Sequence, residues 1–152
     1  MWNNYALAGL RVYLGVIFAI AVYPKLLLGP AFASALNGFL THMGLQNAQP
    51  FYQRFLGVIV LPHVSTFAML IVVAETAVAI ALITGTTTRL AAVVAMLLVT
   101  NYMLAKGLWW WNPSSNDGAF FMIALVLAVC GAGRTLGLDA RLAKRWPRSV
   151  LW

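Results

Sequence analysis

The feature that most constrains this chain is a series of apolar runs, each about as long as a bilayer is thick. A helix needs about 20 mostly apolar residues to cross the hydrocarbon core. Four such runs lie at about residues 5–28, 63–84, 88–108 and 113–132. Charged residues make up only 9% of the chain, against about 25% in an ordinary soluble domain. The sequence therefore predicts an all-α integral membrane four-helix bundle, formed as one transmembrane domain over residues 1–152.

The third and fourth predicted spans meet in a segment rich in tryptophan. The third span is apolar up to Lys106 and can continue through Leu108. The purest apolar run of the fourth span covers residues 118–132, which is short. An earlier start is favoured because Asn112 is a good N-cap and Pro113 suits the first helical position. We therefore predict the fourth helix to begin at about residue 113.

The connection between the first and second spans, residues 29–62, is too long for a tight loop. Its apolar residues recur at intervals of three and four, which is typical of an amphipathic helix in the membrane interface. They are Phe32, Leu36, Phe39, Leu40 and Met43. Farther on, residues 55–61 either extend the second span upstream, with Pro62 as a kink, or re-enter the membrane. The sequence leaves both alternatives open for residues 50–62.

Lysine and arginine are distributed unevenly, and the formal net charge is +7. With both termini in the cytoplasm, the bases on the inner side are Arg89, Arg134, Arg141, Lys144, Arg145 and Arg148, and those outside are Lys25, Arg54 and Lys106. This arrangement satisfies the positive-inside rule, so we predict an even number of spans and a basic cytoplasmic tail over residues 133–152. The expected partners of the tail are anionic lipid headgroups and not nucleic acid.

Tryptophans cluster where an aromatic belt would anchor the protein in the membrane interface. They are Trp109, Trp110 and Trp111 after the third span, with Trp146 and Trp152 in the tail. We interpret them as anchors. The alternative for Trp109, Trp110 and Trp111 is a wall that contacts a flat ligand.

Two ionisable residues, Arg11 and Glu75, lie within predicted spans. A charge at mid-membrane costs about 2.5–3.5 kcal/mol on insertion scales, so it is expected to be paired or functional. At 1.5 Å per residue, Arg11 lies roughly 9 Å and Glu75 roughly 13 Å from the cytoplasmic ends of their spans. We therefore predict an ion pair between them that fixes the register of the two helices. The alternative is a protonatable carboxylate at Glu75 that contacts a substrate or a proton path.

A second set of polar residues is expected at similar depth near the outer interface. It comprises Lys25, His63, Asn101, Tyr102, Lys106 and Asp117, with the aromatic residues Tyr23 and Trp109 nearby. The two lysines can extend their ammonium groups outward to water. Asn101, roughly 13 residues into its span, needs a hydrogen-bond partner on a neighbouring helix or on a lipid headgroup. This layer is a candidate site for a quinone ring, whose two carbonyl groups need donors in an otherwise apolar slot.

Other chemistry finds little support in the sequence, which lacks a phosphate-binding loop, a Cys/His metal spacing and a nucleophile elbow. The single cysteine, Cys130, lies in an apolar stretch and is interpreted as a packing residue. His42 and His63 are possible ligands of a haem or pigment, but structural roles are expected. We therefore predict no metal and no covalently bound cofactor, with quinone or lipid as the candidate ligands.

Several local patterns follow one another in a characteristic order. They are Tyr23-Pro24-Lys25-Leu26, Ala74-Glu75, Ile83-Thr84-Gly85 and Thr88-Arg89-Leu90-Ala91-Ala92, followed by Gly131 to Asp139 with the sequence GAGRTLGLD. Together they resemble the DoxX-like family of small four-helix membrane proteins, which are related to the membrane subunit of thiosulfate:quinone oxidoreductase. The chain departs from the family pattern at Leu136-Gly137, where a serine is usual, and in its long 29–62 segment.

The resemblance implies a membrane redox or quinone neighbourhood. The expected function is a small non-catalytic subunit of a larger membrane redox or energy-converting complex, with packing, lipid or quinone contacts and no redox centre of its own. One alternative is the membrane subunit of a thiosulfate:quinone oxidoreductase-type enzyme, and a second is a standalone transporter or pigment-binding protein. The expected location is the cytoplasmic (inner) membrane of a bacterium or archaeon, beside other membrane subunits.

Overall fold

The computed structural model describes residues 2–145, which form helices joined by short connections, without β-strands. The α-helices are α1 Trp2–Leu28, α2 Ala31–Phe39, α3 Leu45–Asn47, α4 Pro50–Phe55, α5 Val64–Thr84, α6 Thr88–Lys106, α7 Asp117–Cys130 and α8 Asp139–Arg145. Two π-helical turns, Leu40–Gly44 and Leu56–Val60, and two 3-10 turns, Leu61–His63 and Ala132–Arg134, complete the fold. The predicted interfacial residues Trp146 and Trp152, and Arg148 of the basic tail, lie outside the described residues.

Within residues 2–145, three helical stretches are long and apolar enough to cross a membrane: Asn4–Leu28, Pro50–Thr84 and Thr88–Lys106. Helix α7 has only 14 residues, but it runs between the same two ends of the bundle as α6. It begins at Asp117, which is paired with Lys106, and it ends where Gly131 approaches Arg89. The predicted all-α membrane bundle is confirmed.

Small side chains allow the four long helices to approach one another closely. Helix α1 packs along α5 and α6 along α7, while contacts between α1 and α7 and between α5 and α6 close the bundle. Ala92, Ala95 and Ala124 are fully buried in its centre. A Cβ atom at Gly15 would lie only 2.9 Å from the side chain of Ile83. Small residues at such contacts are typical of membrane helices, which gain their packing energy from close van der Waals contact.

The segment between α1 and α5 builds a second, smaller core. The amphipathic helix expected there is present as α2, which packs against α5 and α1. Leu40, Leu56 and Val60, one from the first π turn and two from the second, are buried together. Residues 50–84 form one continuous helical stretch, in which Pro62 lies in the 3-10 turn. Tyr52 and Glu75 nevertheless bind the adjacent α6 residues Asn101 and Tyr102, so the stretch bends back on itself. Both alternatives for residues 50–62, upstream extension and re-entry into the membrane, stay predictions.

The helix limits around the tryptophan segment differ from those predicted. Helix α6 ends at Lys106, because Gly107 adopts a left-handed conformation with φ of 68°. Helix α7 begins at Asp117, so Pro113 is not helical and Asn112 does not cap a helix. The side-chain oxygen of Asn112 instead accepts a hydrogen bond from the backbone N–H of Ser114 at 2.9 Å. Such a local turn competes with the start of a helix at this position.

Candidate functional site

A buried carboxylate lies midway along α5. Glu75 has no exposed surface, and both of its carboxylate oxygens lie 2.5 Å from the ammonium nitrogen of Lys25. The hydroxyl group of Tyr102 donates a further hydrogen bond to Glu75 Oε1 at 2.5 Å. Lys25 comes from α1 and Tyr102 from α6, so this Glu75 triad joins three of the long helices. A carboxylate can remain in so apolar a setting because a cation and a hydroxyl donor both satisfy it.

The predicted ion pair between Arg11 and Glu75 is wrong. Arg11 lies beside Gly85 and donates a hydrogen bond to the backbone oxygen of Leu136 at 3.1 Å. Gly85 follows Glu75 by a helical distance of about 15 Å. The prediction took the start of the first span as level with the end of the second. Helix α1 in fact extends past the end of α5, and this offset brings Lys25, rather than Arg11, to the level of Glu75.

Lys25 points inward, against the prediction that it extends outward to water. Its side chain is only 21% exposed. Its ammonium nitrogen lies 5.5 Å from the ring centroid of Tyr102 and 5.8 Å from that of Phe32. Aromatic rings at this distance attract a cation through their negative faces. Two rings and one carboxylate therefore offset the loss of water around the ammonium group.

Three cavities border the Glu75 triad. The first, about 340 Å³, is enclosed by α2, α4, the π turns, α5 and α6, and Tyr102 and Asn101 contribute to its wall. The second, about 320 Å³, lies between the end of α1, α2 and α6 and is lined by Lys25, Tyr102 and Lys106 among apolar residues. The third, about 380 Å³, lies on the other side of Lys25 beside Pro30 and Ser65. Tyr102 thus borders the first two cavities, and Lys25 borders the last two.

The first cavity contains a second polar pair. The hydroxyl group of Tyr52 donates a hydrogen bond to the side-chain oxygen of Asn101 at 2.5 Å, and the amide of Asn101 donates to the Leu97 carbonyl at 2.7 Å. Both residues line the cavity. The prediction that Asn101 needs a partner is therefore met by Tyr52 on α4, which the sequence analysis did not single out. In the sequence, the only indication of this partner was a tyrosine in the aromatic stretch 51–55, and the position of that stretch relative to the bundle was not predicted.

Three further candidate residues of the predicted outer layer lie around the α6–α7 connection. Lys106 and Asp117 form an ion pair at 2.7 Å, in which the Lys106 side chain is 42% exposed. Trp109 stacks on Trp111 with ring centroids 5.9 Å apart and borders a small cavity of about 50 Å³. Of these three, only Lys106 contributes to a cavity that borders the Glu75 triad.

Tyr23 and His63, the last two candidates, lie apart from the triad. Tyr23 is 63% exposed on the surface of α1. His63 is exposed in the 3-10 turn that precedes α5. Neither contributes to the three cavities. The single layer expected from the sequence is thus divided between the cavity walls and the outer surface.

The family comparison fits this architecture. A family model described as "TQO small subunit DoxD" matches residues 6–151. The chain belongs to the DoxD family. The resemblance to the DoxX-like proteins is thereby confirmed, and this family membership and the apolar helices identify a membrane protein. No curated protein and no solved structure matches the chain.

The DoxD chain has a second buried polar centre, at the opposite end of the bundle. Asp139 is fully buried, and its carboxylate accepts hydrogen bonds from the backbone N–H groups of Thr87 at 2.6 Å and Thr88 at 2.9 Å. It therefore caps helix α6 from outside that helix. Arg11, only 1% exposed, provides a positive charge nearby. We call the cluster of Arg11, Gly85, Thr88 and Asp139 the anchored end.

Glycine residues leave little free space at the anchored end. Gly85 has φ of 68°, and a Cβ atom there would overlap the guanidinium group of Arg11. A Cβ atom at Gly133 would overlap both Asp139 and the hydroxyl group of Thr88. Both positions require glycine because it has no Cβ atom, and Gly85 also requires it because glycine tolerates positive φ. In the sequence this segment is visible as a family pattern, whereas its role as a cap was not predicted.

Metal-binding side chains do not gather at either polar centre. Within residues 2–145, no group of three or more His, Cys, Asp or Glu side chains is arranged to hold a metal ion. Cys130 is exposed rather than packed in the interior, so its predicted packing role is wrong. Since α7 faces outward at this position, the apolar stretch around Cys130 reflects a membrane-facing surface and not a core.

Proposed function

We propose that this DoxD-family chain is the quinone-binding membrane subunit of a thiosulfate:quinone oxidoreductase-type enzyme. The family match favours this alternative over a non-catalytic accessory subunit. The observation that carries the proposal is that the Glu75 triad reaches the wall of an apolar cavity through Tyr102. A buried ionisable group beside such a cavity is the usual form of a small-molecule site.

The first cavity has the size and chemistry that a quinone ring requires. Its volume of about 340 Å³ falls within the usual range of small-molecule sites. Tyr102 offers a hydroxyl donor on one side when its one O–H turns from Glu75 Oε1 to the cavity. Asn101 offers a second donor, because its amide has two N–H groups and Leu97 accepts from one. The remaining wall is mainly apolar side chains, including Leu36, which suit the ring and the start of an isoprenoid tail.

We further propose that other subunits bind the sulfur substrate and donate the electrons. The family description names a small subunit, which supports assembly with other proteins. On this view the DoxD chain contributes the membrane-embedded quinone site, has no redox centre of its own and contacts lipid along the exposed faces of its helices.

Filling the first cavity tests the quinone site directly. Ala105 lies in the shared wall of the first and second cavities, whereas Ala77 is exposed on α5 and borders neither. In the gently solubilised enzyme, Ala105→Phe should weaken binding of a short-chain quinone by at least about tenfold, or about 1.4 kcal/mol. Ala77→Phe adds the same side chain on an outer face and should leave the quinone Kd unchanged. Equal affinity in both variants, or no quinone binding by the parent enzyme, would contradict the proposal.

We also propose that both termini lie in the cytoplasm, with the protein in the cytoplasmic membrane. The anchored end brings together Arg11, Arg89 and the start of the basic C-terminal segment. At the opposite end Lys25 and Lys106 are both paired with carboxylates. Arg54 is the remaining base on that side among the described residues, so the excess of lysine and arginine lies at the anchored end, as expected for the inner side.

Cysteine labelling tests this orientation. In a Cys130→Ala background, a cysteine in place of exposed Ser114 should react with a membrane-impermeant thiol reagent from outside intact cells. A cysteine in place of Thr86, in the α5–α6 turn, should react only in inverted membranes. The reverse pattern would show the opposite orientation, and labelling of both positions from one side would show that α6 does not cross.

A further inference from the structure

The three members of the Glu75 triad connect two cavities that do not share a wall residue. Lys25 borders the third cavity, beside Pro30 and Ser65. Tyr102 borders the first cavity. Glu75 lies between them, fully buried, and contacts both partners at 2.5 Å. Each of the three side chains can carry a proton, so the triad is a continuous chain of exchangeable groups from one cavity to the other.

We propose that Lys25, Glu75 and Tyr102 form a proton relay that supplies the first cavity with protons taken from the third. This inference rests on the proposed function, because reduction of a quinone in the first cavity is the reaction that consumes them. Protons would enter the relay from the end of the bundle where α1 ends and α5 begins. In the proposed orientation this is the outer side of the membrane.

The transfer balances for each proton delivered. The Lys25 ammonium group first gives a proton to the Glu75 carboxylate, so that the Glu75 O–H donates to the Tyr102 oxygen and the Tyr102 O–H can turn to the quinone. The O–H bond of Tyr102 then breaks as a new O–H bond forms on a carbonyl oxygen of the quinone. Tyr102 then takes a proton from the Glu75 carboxyl group, which has received one from the Lys25 ammonium group. Water in the third cavity returns a proton to the Lys25 amine. Two such transfers, with two electrons from a reduced-sulfur donor on the partner subunits, convert quinone to quinol and leave the triad as it began.

The second cavity offers a poorer route for the same protons. It touches both Lys25 and Tyr102, but most of its lining is apolar, including Leu28, Phe32 and Ile71. Water in a protein cavity needs polar partners, typically about three for each molecule. The third cavity is also mainly apolar, with Lys25 and Ser65 as its polar side chains, but water there has to reach Lys25 alone. A file of water through the second cavity would have to extend from Lys25 to Tyr102, whereas the side-chain contacts through Glu75 already span that distance.

The anchored end has a buried carboxylate in different surroundings. There the acceptor Asp139 is bound by backbone N–H groups, which do not release protons in this way, and glycines exclude free space. At the Glu75 triad every partner is a titratable side chain, and cavities lie on either side. Structural support alone does not require that combination.

Substitutions in the intact enzyme separate proton delivery from ligand binding. Glu75→Gln keeps the size of the side chain and one acceptor oxygen but cannot accept a proton, so kcat for quinone reduction should fall by about 100-fold. The KM for quinone should change by less than about threefold, because neither Glu75 nor Lys25 lines the first cavity. Glu75→Asp should recover at least about a tenth of the parent kcat, since it restores the carboxylate.

Lys25 provides an independent test at the entrance of the relay. Lys25→Met should lower kcat with little change in KM, and Lys25→Arg should recover less activity than Glu75→Asp does, because a guanidinium group does not readily release its proton. Lys144→Met, which removes an exposed lysine of α8, should leave both constants unchanged. If Glu75→Gln is poorly folded, the Lys25→Met/Glu75→Gln variant, which leaves no unpaired charge, replaces it and should show the same loss of kcat.

The possible outcomes distinguish the relay from the quinone site. An unchanged kcat in Glu75→Gln would overturn the relay. A raised KM with unchanged kcat would also overturn it, while leaving the quinone site in place with the triad as part of its binding surface. Failure of the parent enzyme to bind quinone would remove the proposed function and the relay together. A loss of kcat alone, partly restored by aspartate, is the result that supports the proposal.

Discussion

The anchored end and the Glu75 triad both contain a fully buried carboxylate near a basic side chain, yet their surroundings are opposite. Asp139 accepts hydrogen bonds from backbone N–H groups in a tightly packed site, where the neighbouring glycines have no room for a Cβ atom. Glu75 is bound by the side chains of Lys25 and Tyr102. Tyr102 lines the first cavity, and Lys25 lines the third. The comparison teaches that burial alone does not identify a functional charge. Free volume and exchangeable partners beside the charge are the more informative features.

The two centres also differ in the part of the chain that they hold. Asp139 joins the C-terminal segment to the start of α6, and its own N–H group donates to the Gly85 carbonyl at 2.8 Å. The Glu75 triad instead joins the middle of α5 to α1 and α6. One centre therefore closes an end of the bundle, and the other spans its interior. Four substitutions test whether this division holds.

The largest effect is expected from Asp139→Ala. The substitution leaves the Arg11 charge without its counter-charge and the N–H groups of Thr87 and Thr88 without an acceptor. We expect the free energy of unfolding to fall by about 3–5 kcal/mol, measured by tryptophan fluorescence during denaturation in detergent. Asp117→Ala, at an exposed ion pair, is the control. A loss below about 1 kcal/mol would remove the distinction between the two ends.

Single and double substitutions at the Glu75 triad should come next in size. Glu75→Gln leaves the Lys25 charge unpaired, and we expect a loss of about 2–3 kcal/mol, moderated by the partial exposure of Lys25. The Lys25→Met/Glu75→Gln variant should return to within about 1 kcal/mol of the parent, because removal of both charges removes their desolvation cost. Arg11→Met/Asp139→Ala should remain destabilised, since backbone groups stay uncapped. If both double variants regain the same free energy of unfolding, the two polar centres do not differ in the way described.

A smaller effect is expected from Tyr52→Phe. It removes the hydroxyl donor to Asn101 while keeping the ring that packs beside Phe55. The free energy of unfolding should fall by about 1 kcal/mol, which is typical of one hydrogen bond. Tyr13→Phe, on an exposed face of α1, is the matched control and should change nothing measurable. Quinone titration of the same variants would show whether Asn101 keeps its orientation without Tyr52.

The smallest effect is expected from Lys106→Met. This lysine is paired with Asp117, but its side chain is 42% exposed, so water and salt screen the interaction. The free energy of unfolding should change by no more than about 1 kcal/mol, and less at high ionic strength. Denaturation at two salt concentrations checks both statements. An effect as large as that of Glu75→Gln would mean that the exposure of an ion pair does not determine its contribution to the stability of this protein.

Residue chemistry predicted much of the fold and part of the candidate site. Long apolar runs predicted the spanning helices, and three- and four-residue spacing predicted α2. The cost of a charge in lipid was sufficient to single out Glu75, and that of an amide to single out Asn101. These features depend on composition and local periodicity, which are visible in one sequence.

The pairings could not be predicted, because they depend on how far one helix slides along another. Arg11 lies beside Gly85, ten residues beyond Glu75, so an offset of α1 by roughly 15 Å exchanges Arg11 for Lys25 as the partner of Glu75. Tyr52 was missed because residues 50–62 had two possible courses, and Asp139 because its acceptor role depends on a contact between distant segments. Turn geometry at Asn112 was similarly hidden, since the same residue type favours a helix cap and a local turn.

The π turn at Leu56–Val60 lies between Tyr52 of the first cavity and the main part of α5, which carries Glu75. Each residue of an α-helix turns the chain by about 100°. Insertion or deletion of a single residue at this turn would therefore rotate α4 relative to α5 and replace the side chains that α4 presents to the cavity. The packing of α1, α5, α6 and α7 would not have to change. Related proteins with the same bundle can in this way evolve a different ligand preference through one short length change.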